Sequence, residues 1–143
     1  MHPHKAEVVI GNIRFNSYDL GGHIQARKTW REYAGTVDGI VFMVDAADQD
    51  RLQEAKAELD SLIVMPELKD VPIVVFGNKV DRKEALKEEE FREVMNLPFH
   101  LTKGKDPNNL NPGSKANVEV FMCSVKARAG YSDGFQWLSS FLK

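Results

Sequence analysis

Cys123 is the only cysteine among 143 residues, so no internal disulfide can form and the framework of a small cross-linked secreted domain is excluded. No apolar run approaches the roughly 20 residues that cross a bilayer, so no segment reads as a membrane-spanning helix. Charge of one sign is missing too. Nineteen basic residues against 21 acidic leave a net −2, too balanced to draw nucleic acid or acidic lipid by charge alone. No secretory leader pattern opens the sequence and no internal repeat runs through it, so a reducing interior such as the cytosol is expected. What is present is ordinary for a globular chain: 43% hydrophobic and 28% charged residues. That suffices at this length for one core, and a single domain over residues 1–143 is expected.

Short apolar runs alternate with amphipathic stretches, the pattern of helices wound around a mostly parallel sheet. Residues 7–10 and 13–18 flank Gly11-Asn12, which reads as an antiparallel hairpin. Gly39 to Val44 is apolar throughout, predicting a strand covered on both faces that ends at Asp45. Asp48 is the expected N-cap of a helix whose Leu52, Ala55, Leu59, Leu62 and Ile63 share one face. A strand over 72–77 ends at Asn78. An acidic helix over 87–96 follows, with Phe91, Val94 and Met95 buried and Glu88 to Glu90 forming a solvated face. Prolines, glycines and asparagines make 98–117 a surface insertion. Val118 to Cys123 reads as the last strand, and Phe135, Leu138, Phe141 and Leu142 line one side of the last helix.

Ligands of such sheets bind at the carboxyl ends of strands, and three of those ends carry suggestive residues. Asn78-Lys79-Val80-Asp81 follows one strand directly. The two acceptor oxygens of the Asp81 carboxylate match the N1–H and N2–H donors that guanine has and adenine lacks, with Asn78 bracing the loop and the stem of Lys79 covering the base. The bland alternative is a strand-to-helix turn. At Asp19-Leu20-Gly21-Gly22-His23 two glycines let the backbone approach a phosphate. Gly22 could donate its N–H to a terminal phosphate, Asp19 could hold magnesium through a water, and His23 could orient an attacking water. Asp-x-Gly-Gly is equally a common turn, and a lone histidine is usually a surface residue. At Cys123-Ser124-Val125 a main-chain N–H, expected to be that of Ser124, would meet guanine O6, a role that need not use the hydroxyl.

These segments, with Trp30, Val44-Asp45-Ala46-Ala47-Asp48, Val120 to Val125 and Phe135-Gln136-Trp137-Leu138, resemble in order and spacing the small GTPases of the Arf/Sar group. The likeness runs from about His2 to the end. It favours the Sar branch, which starts assembly of the COPII vesicle coat, because Arf proteins usually carry glutamine where His23 stands. The resemblance implies a three-layer, P-loop GTPase-like (Ras-like) α/β fold and a switch between GDP and GTP forms with slow, magnesium-dependent hydrolysis. It assigns catalysis to His23, the Mg2+ shell to Asp19, the γ-phosphate to Gly22, and guanine to Asn78, Lys79, Asp81, Cys123, Ser124 and Val125. It also implies partners: COPII inner-coat subunits, including an activator whose arginine in trans is worth roughly 10³ to 10⁵ in rate, and an exchange factor of the endoplasmic reticulum. No nucleic acid is implied. The expected location is the cytosolic face of the endoplasmic reticulum and Golgi.

The 143 residues contain no Gly-x-x-x-x-Gly-Lys-[Ser/Thr] loop, the element that cradles α and β phosphates. An amphipathic membrane-binding segment, a first strand and a first helix are likewise expected to be missing. Contact with membrane would belong to that absent segment alone. Without the first strand, apolar edges of its neighbours are expected to lie open. His2 and His4 are not read as a metal site. Two functional classes follow: a GTP-hydrolysing switch, or a fragment that keeps the fold and coat-facing surface without binding nucleotide.

Overall fold

The computed structural model describes residues 4–10, 13–19, 37–68, 70–97, 117–124, 126–127 and 129–141. The chain divides into two compact units, Met1–Val37 and Asp38–Lys143.

In the first unit, β1 (His4–Ile10) and β2 (Ile13–Asp19) pair antiparallel, with Ile10 opposite Ile13 and His4 opposite Asp19. Two intervening residues set that register, as the Gly11-Asn12 pair predicts. Asp19 is the last residue of β2.

The second unit is built on a parallel sheet of order β3-β4-β5, from β3 (Ile40–Asp45), β4 (Ile73–Asn78) and β5 (Val118–Met122). Around it lie α1 (Leu52–Ile63), α2 (Glu88–Val94) and α3 (Tyr131–Ser139). β4 is central, and Val74, Val75 and Phe76 are fully buried. α3 packs on β4 and β5 at the face of Val74 and Phe76, where a Cβ on Gly134 would stand 2.4 Å from the Phe76 ring. That close approach requires glycine. The opposite face carries α1, against β3, and α2, against β5. Leu52, Leu59 and Leu62 bury the stripe of α1 as predicted, whereas Ala55 and Ile63 are only half-buried. The last helix places Leu138 and Trp137 in the core, with the Phe141 ring tilted against Trp137 at 4.8 Å and the Phe135 ring tilted against Phe76 at 5.3 Å. Leu142 lies outside the described residues.

β3 departs from the expectation of burial on both faces. Val41 and Met43 are 42% and 49% exposed, while Phe42 and Val44 are buried. The register explains the split. Val41 pairs with Val74 and Met43 with Phe76, so both lie on the face that α3 covers over β4 and β5. Among the described residues no element continues that cover across β3, and an edge strand with one face packed alternates.

Two helix ends also differ. Asp48 precedes a 3₁₀ turn, Gln49–Arg51, without a side-chain capping bond, and its carboxylate lies 3.9 Å from Arg51 instead. α2 ends in a Schellman motif: Asn96 takes φ 58°, its N–H reaches the Glu93 carbonyl at 3.2 Å, and the Leu97 N–H reaches that of Arg92 at 2.8 Å.

The buried face of α2 holds a residue that apolar periodicity passes over. Arg92 is 2% exposed, while Val94 is half-buried. Its guanidinium binds Glu119 of β5 at 2.5 Å, Glu88 at 2.9 Å and the Leu97 carbonyl at 3.1 Å. Glu88 therefore serves this network and is not one of three equivalent solvated glutamates; Glu89 and Glu90 are exposed. The segment 98–116 lies outside the described residues.

Candidate functional site

Parallel register brings the ends of the three strands side by side. Asp45 pairs with Asn78 and Gly77 with Met122, so the residues that leave β3, β4 and β5 emerge at one edge of the sheet. Backbone bonds stitch them together: Ala46 N–H to the Asn78 carbonyl at 3.0 Å, Cys123 N–H to Gly77 at 2.9 Å, and Val80 N–H to the Cys123 carbonyl at 3.2 Å.

Asp81 is fixed by Ser124, whose hydroxyl donates to Asp81 Oδ1 at 2.7 Å and accepts from the Ala127 N–H at 3.0 Å. The Ser124 hydrogen bond, foremost, holds the Asp81 carboxyl below the usual carboxylate range, with Lys126 and Arg82 adding favourable charge. Asp81 is exposed and ionised at neutral pH. A charged carboxylate anchored at the strand ends and open to solvent can accept two donors from a planar ligand edge.

The structure corrects the part assigned to Ser124. Its N–H bonds the Ala129 carbonyl at 2.9 Å, and Ala129 returns an N–H to the Ser124 carbonyl at 3.0 Å. That bridge closes the loop and occupies the N–H reserved for guanine O6. The hydroxyl, which that role did not need, is what holds Asp81.

Asn78 is half-buried at the end of β4. The Cys123 thiol lies 3.7 Å from Asn78 Oδ1, and burial pushes that thiol up to about 11, so it stays protonated and can donate. Lys79 takes φ 69°, a left-handed conformation for a residue with a Cβ, at a cost on the order of 1–2 kcal/mol. Its ammonium meets Asp45 Oδ2 at 2.8 Å, while Asp45 Oδ1 accepts the Ala47 N–H at 2.9 Å. Sequence reasoning took Asp45 for a strand terminus. The signal that could have found it was an acidic residue at a strand end directly beside another strand end carrying lysine.

Asn78, Lys79, Asp81, Cys123 and Ser124 are thus brought together. Gly22, His23 and Val125 lie outside the described residues, as does Trp30. Asp19 closes β2, in the other unit. Among the described residues no group of three or more His, Cys, Asp or Glu side chains could hold a metal. Magnesium dehydrates reluctantly and is normally held by one or two carboxylates plus phosphate oxygens; Asp19, expected to belong to its shell, is the last residue of β2. A cavity of about 500 Å³ lies elsewhere, against Glu88, Phe121, Asp133 and Trp137. Asn78, Lys79, Asp81, Cys123 and Ser124 do not line that cavity.

Comparison with known proteins gives a consistent result. The model of the ADP-ribosylation factor (Arf) family matches residues 1–142. A small COPII coat GTPase SAR1 of Giardia intestinalis is 43% identical over 140 residues, covering 98% of this chain and 72% of that protein. Its namesake from Nicotiana tabacum is 37% identical over 148 residues, covering 99% of this chain and 74% of its own length. Among solved structures, the Arl6 BBS3 small GTPase of Trypanosoma brucei, with a bound nucleotide analogue GppNp, superposes with a TM-score of 0.80. It is 22% identical and covers 98% of this chain and 78% of its own. That likeness bears on fold alone, and the fold is the Ras-like α/β arrangement.

Proposed function

The chain belongs to the ADP-ribosylation factor family of small GTPases, and from that premise we propose that it is the guanine-nucleotide-binding portion of a Sar-type switch in COPII coat assembly. One observation carries the reading: Ser124 Oγ holds Asp81 Oδ1 at 2.7 Å where the ends of β4 and β5 meet, presenting an ionised carboxylate beside Asn78 and Lys79. Guanine offers two adjacent N–H donors to such a group; adenine offers none at those positions, and a polar site left unpaired rejects the analogue by roughly 10⁴ or more.

Within this reading Asn78, Lys79, Asp81, Cys123, Ser124 and Val125 hold the base, Gly22 meets the γ-phosphate, and Asp19 belongs to the shell of a magnesium ion, which when bound neutralises phosphate charge. His23 orients a water for attack on the γ-phosphorus, with the β-phosphate oxygen of GDP as leaving group. The matched family model spans both compact units, which supports one G domain over residues 1–143. The names of the Giardia and tobacco relatives support a place in the COPII coat; coat subunits as partners, action at the cytosolic face of the endoplasmic reticulum, an activating arginine in trans and an exchange factor that reloads GTP complete the proposal.

A second reading is a coat-facing module that keeps the fold without turning nucleotide over. Titration with a fluorescent GDP analogue, followed by single-turnover GTP hydrolysis for the parent chain and His23→Ala, separates the two. Binding with hydrolysis that His23→Ala slows at least tenfold supports the switch; saturable coat-subunit binding without nucleotide binding supports the module.

A further inference from the structure

Resting on the guanine-nucleotide reading above, we propose that Asp45 is a positioning residue for the base site, acting through Lys79. Lysine carries a long, freely rotating stem and a strongly hydrated head, so a lysine meant to cover a base must be aimed by something else. Here both ends of the residue are constrained. Its backbone sits in the left-handed region at φ 69°, a conformation that persists for a non-glycine residue only where surroundings over-determine it. Its ammonium is held 2.8 Å from Asp45 Oδ2.

Asp45 is itself fixed before it meets Lys79. It is the last residue of β3, in register with Asn78, and its other oxygen accepts the Ala47 N–H at 2.9 Å. The next residue donates its N–H to the Asn78 carbonyl at 3.0 Å. Each carboxylate oxygen therefore has its own task, one closing the turn after β3 and the other drawing Lys79 across the gap between strand ends. With the head held at Asp45 and the Cα just past the end of β4, the four-carbon stem spans the gap between the two paired strand ends. Under the reading above, that stem is the part of Lys79 assigned to cover the base. The carboxyl of Asp45 lies below its usual range: burial works to raise it, but the Lys79 hydrogen bond, the Ala47 N–H and the charges of Lys79 and Arg82 outweigh that.

Stability alone gives the pair little to do. The side chains of Lys79 and Asp45 are 42% and 33% exposed, and ion pairs so wetted contribute little to folding. Aiming the stem is the role left.

A double-mutant cycle on GDP affinity tests this, with thermal melting followed in parallel. Asp45→Asn should weaken GDP binding about three- to fivefold, the reach of a half-exposed ion pair, with the melting temperature of the nucleotide-free chain within about 2 °C of the parent. Asp45→Glu should recover part of the loss. In a Lys79→Met background the same Asp45→Asn change should have almost no further effect, because its target is gone. An Asp45→Asn protein that binds GDP as tightly as the parent, or a loss that persists in full with Lys79→Met, overturns the role of Asp45 alone. Absence of GDP binding by the parent chain overturns the nucleotide reading and this role together.

Discussion

Under the proposed function a single carboxylate, Asp81, chooses the base, and Asp81→Asn gives the sharpest forecast. The amide replaces one acceptor with a donor, so the variant should lose guanine and gain xanthine, which carries a carbonyl where guanine carries its exocyclic amine. Competition of xanthosine and guanosine diphosphates against a fluorescent analogue would show a reversal of preference; a uniform loss of both would mean that Asp81 does not read the base. Ser124→Ala probes the support beneath it. Because the folded Asp81 carboxyl lies below its ordinary value, chiefly through the Ser124 hydrogen bond, what its charge contributes is present above that ordinary value. It is lost as pH falls through the folded value. Removing the hydroxyl raises the folded value, so carboxylate NMR of Ser124→Ala should show the Asp81 midpoint shifted upward, and GDP binding should begin to fail at a higher pH than in the parent.

At the scale of elements, two contacts set how helices meet the sheet. Gly134 lets α3 rest on the Phe76 ring, and a Cβ there would stand 2.4 Å from a ring atom inside a fully packed core. Gly134→Ala should cost about 1–3 kcal/mol in urea unfolding, as overpacking does; an unchanged midpoint would mean that the helix can ride outward freely. Arg92 and Glu119, 2% and 1% exposed, join α2 to β5 through a buried pair. Arg92→Leu strands the buried Glu119 charge and should cost about 3–5 kcal/mol, whereas Glu119→Leu leaves Arg92 paired with Glu88 and should cost less. The double replacement should cost clearly less than the sum, and additivity of the two single losses would contradict the pairing.

The whole molecule shows where sequence speaks and where it is silent. Strands with a run of apolar residues and a polar terminus were legible: β4 and β5 end at Asn78 and beside Cys123 as the pattern requires, because burial on both faces leaves little else for such runs to be. The two-residue hairpin connection was legible from Gly11-Asn12. Exposure on β3 was not, since apolar periodicity cannot say which neighbouring element covers a face. Arg92 was not, because a buried cation is defined by a partner 27 residues away and not by local spacing. Of the candidate site, Asn78, Lys79, Asp81, Cys123 and Ser124 were visible as motifs at strand ends, whereas the Ser124 hydroxyl on Asp81 and the bridge of its N–H to Ala129 emerge only with three-dimensional closure. Ligand linkage gives a forecast at this scale: GDP at 100 times its dissociation constant should stabilise the protein by about 2.7 kcal/mol, seen as a raised melting temperature, while ADP at equal concentration should leave it unmoved.

The most direct measurement is calorimetric titration of the purified chain, of verified intact mass, with GDP, inosine diphosphate and ADP in the presence of magnesium. Saturable GDP binding is expected, with weaker inosine diphosphate binding because that base keeps N1–H and lacks the exocyclic amine, and no ADP binding at matched concentrations. Equal affinities for the three, or binding that Asp81→Ala leaves intact, would overturn base selection by Asp81.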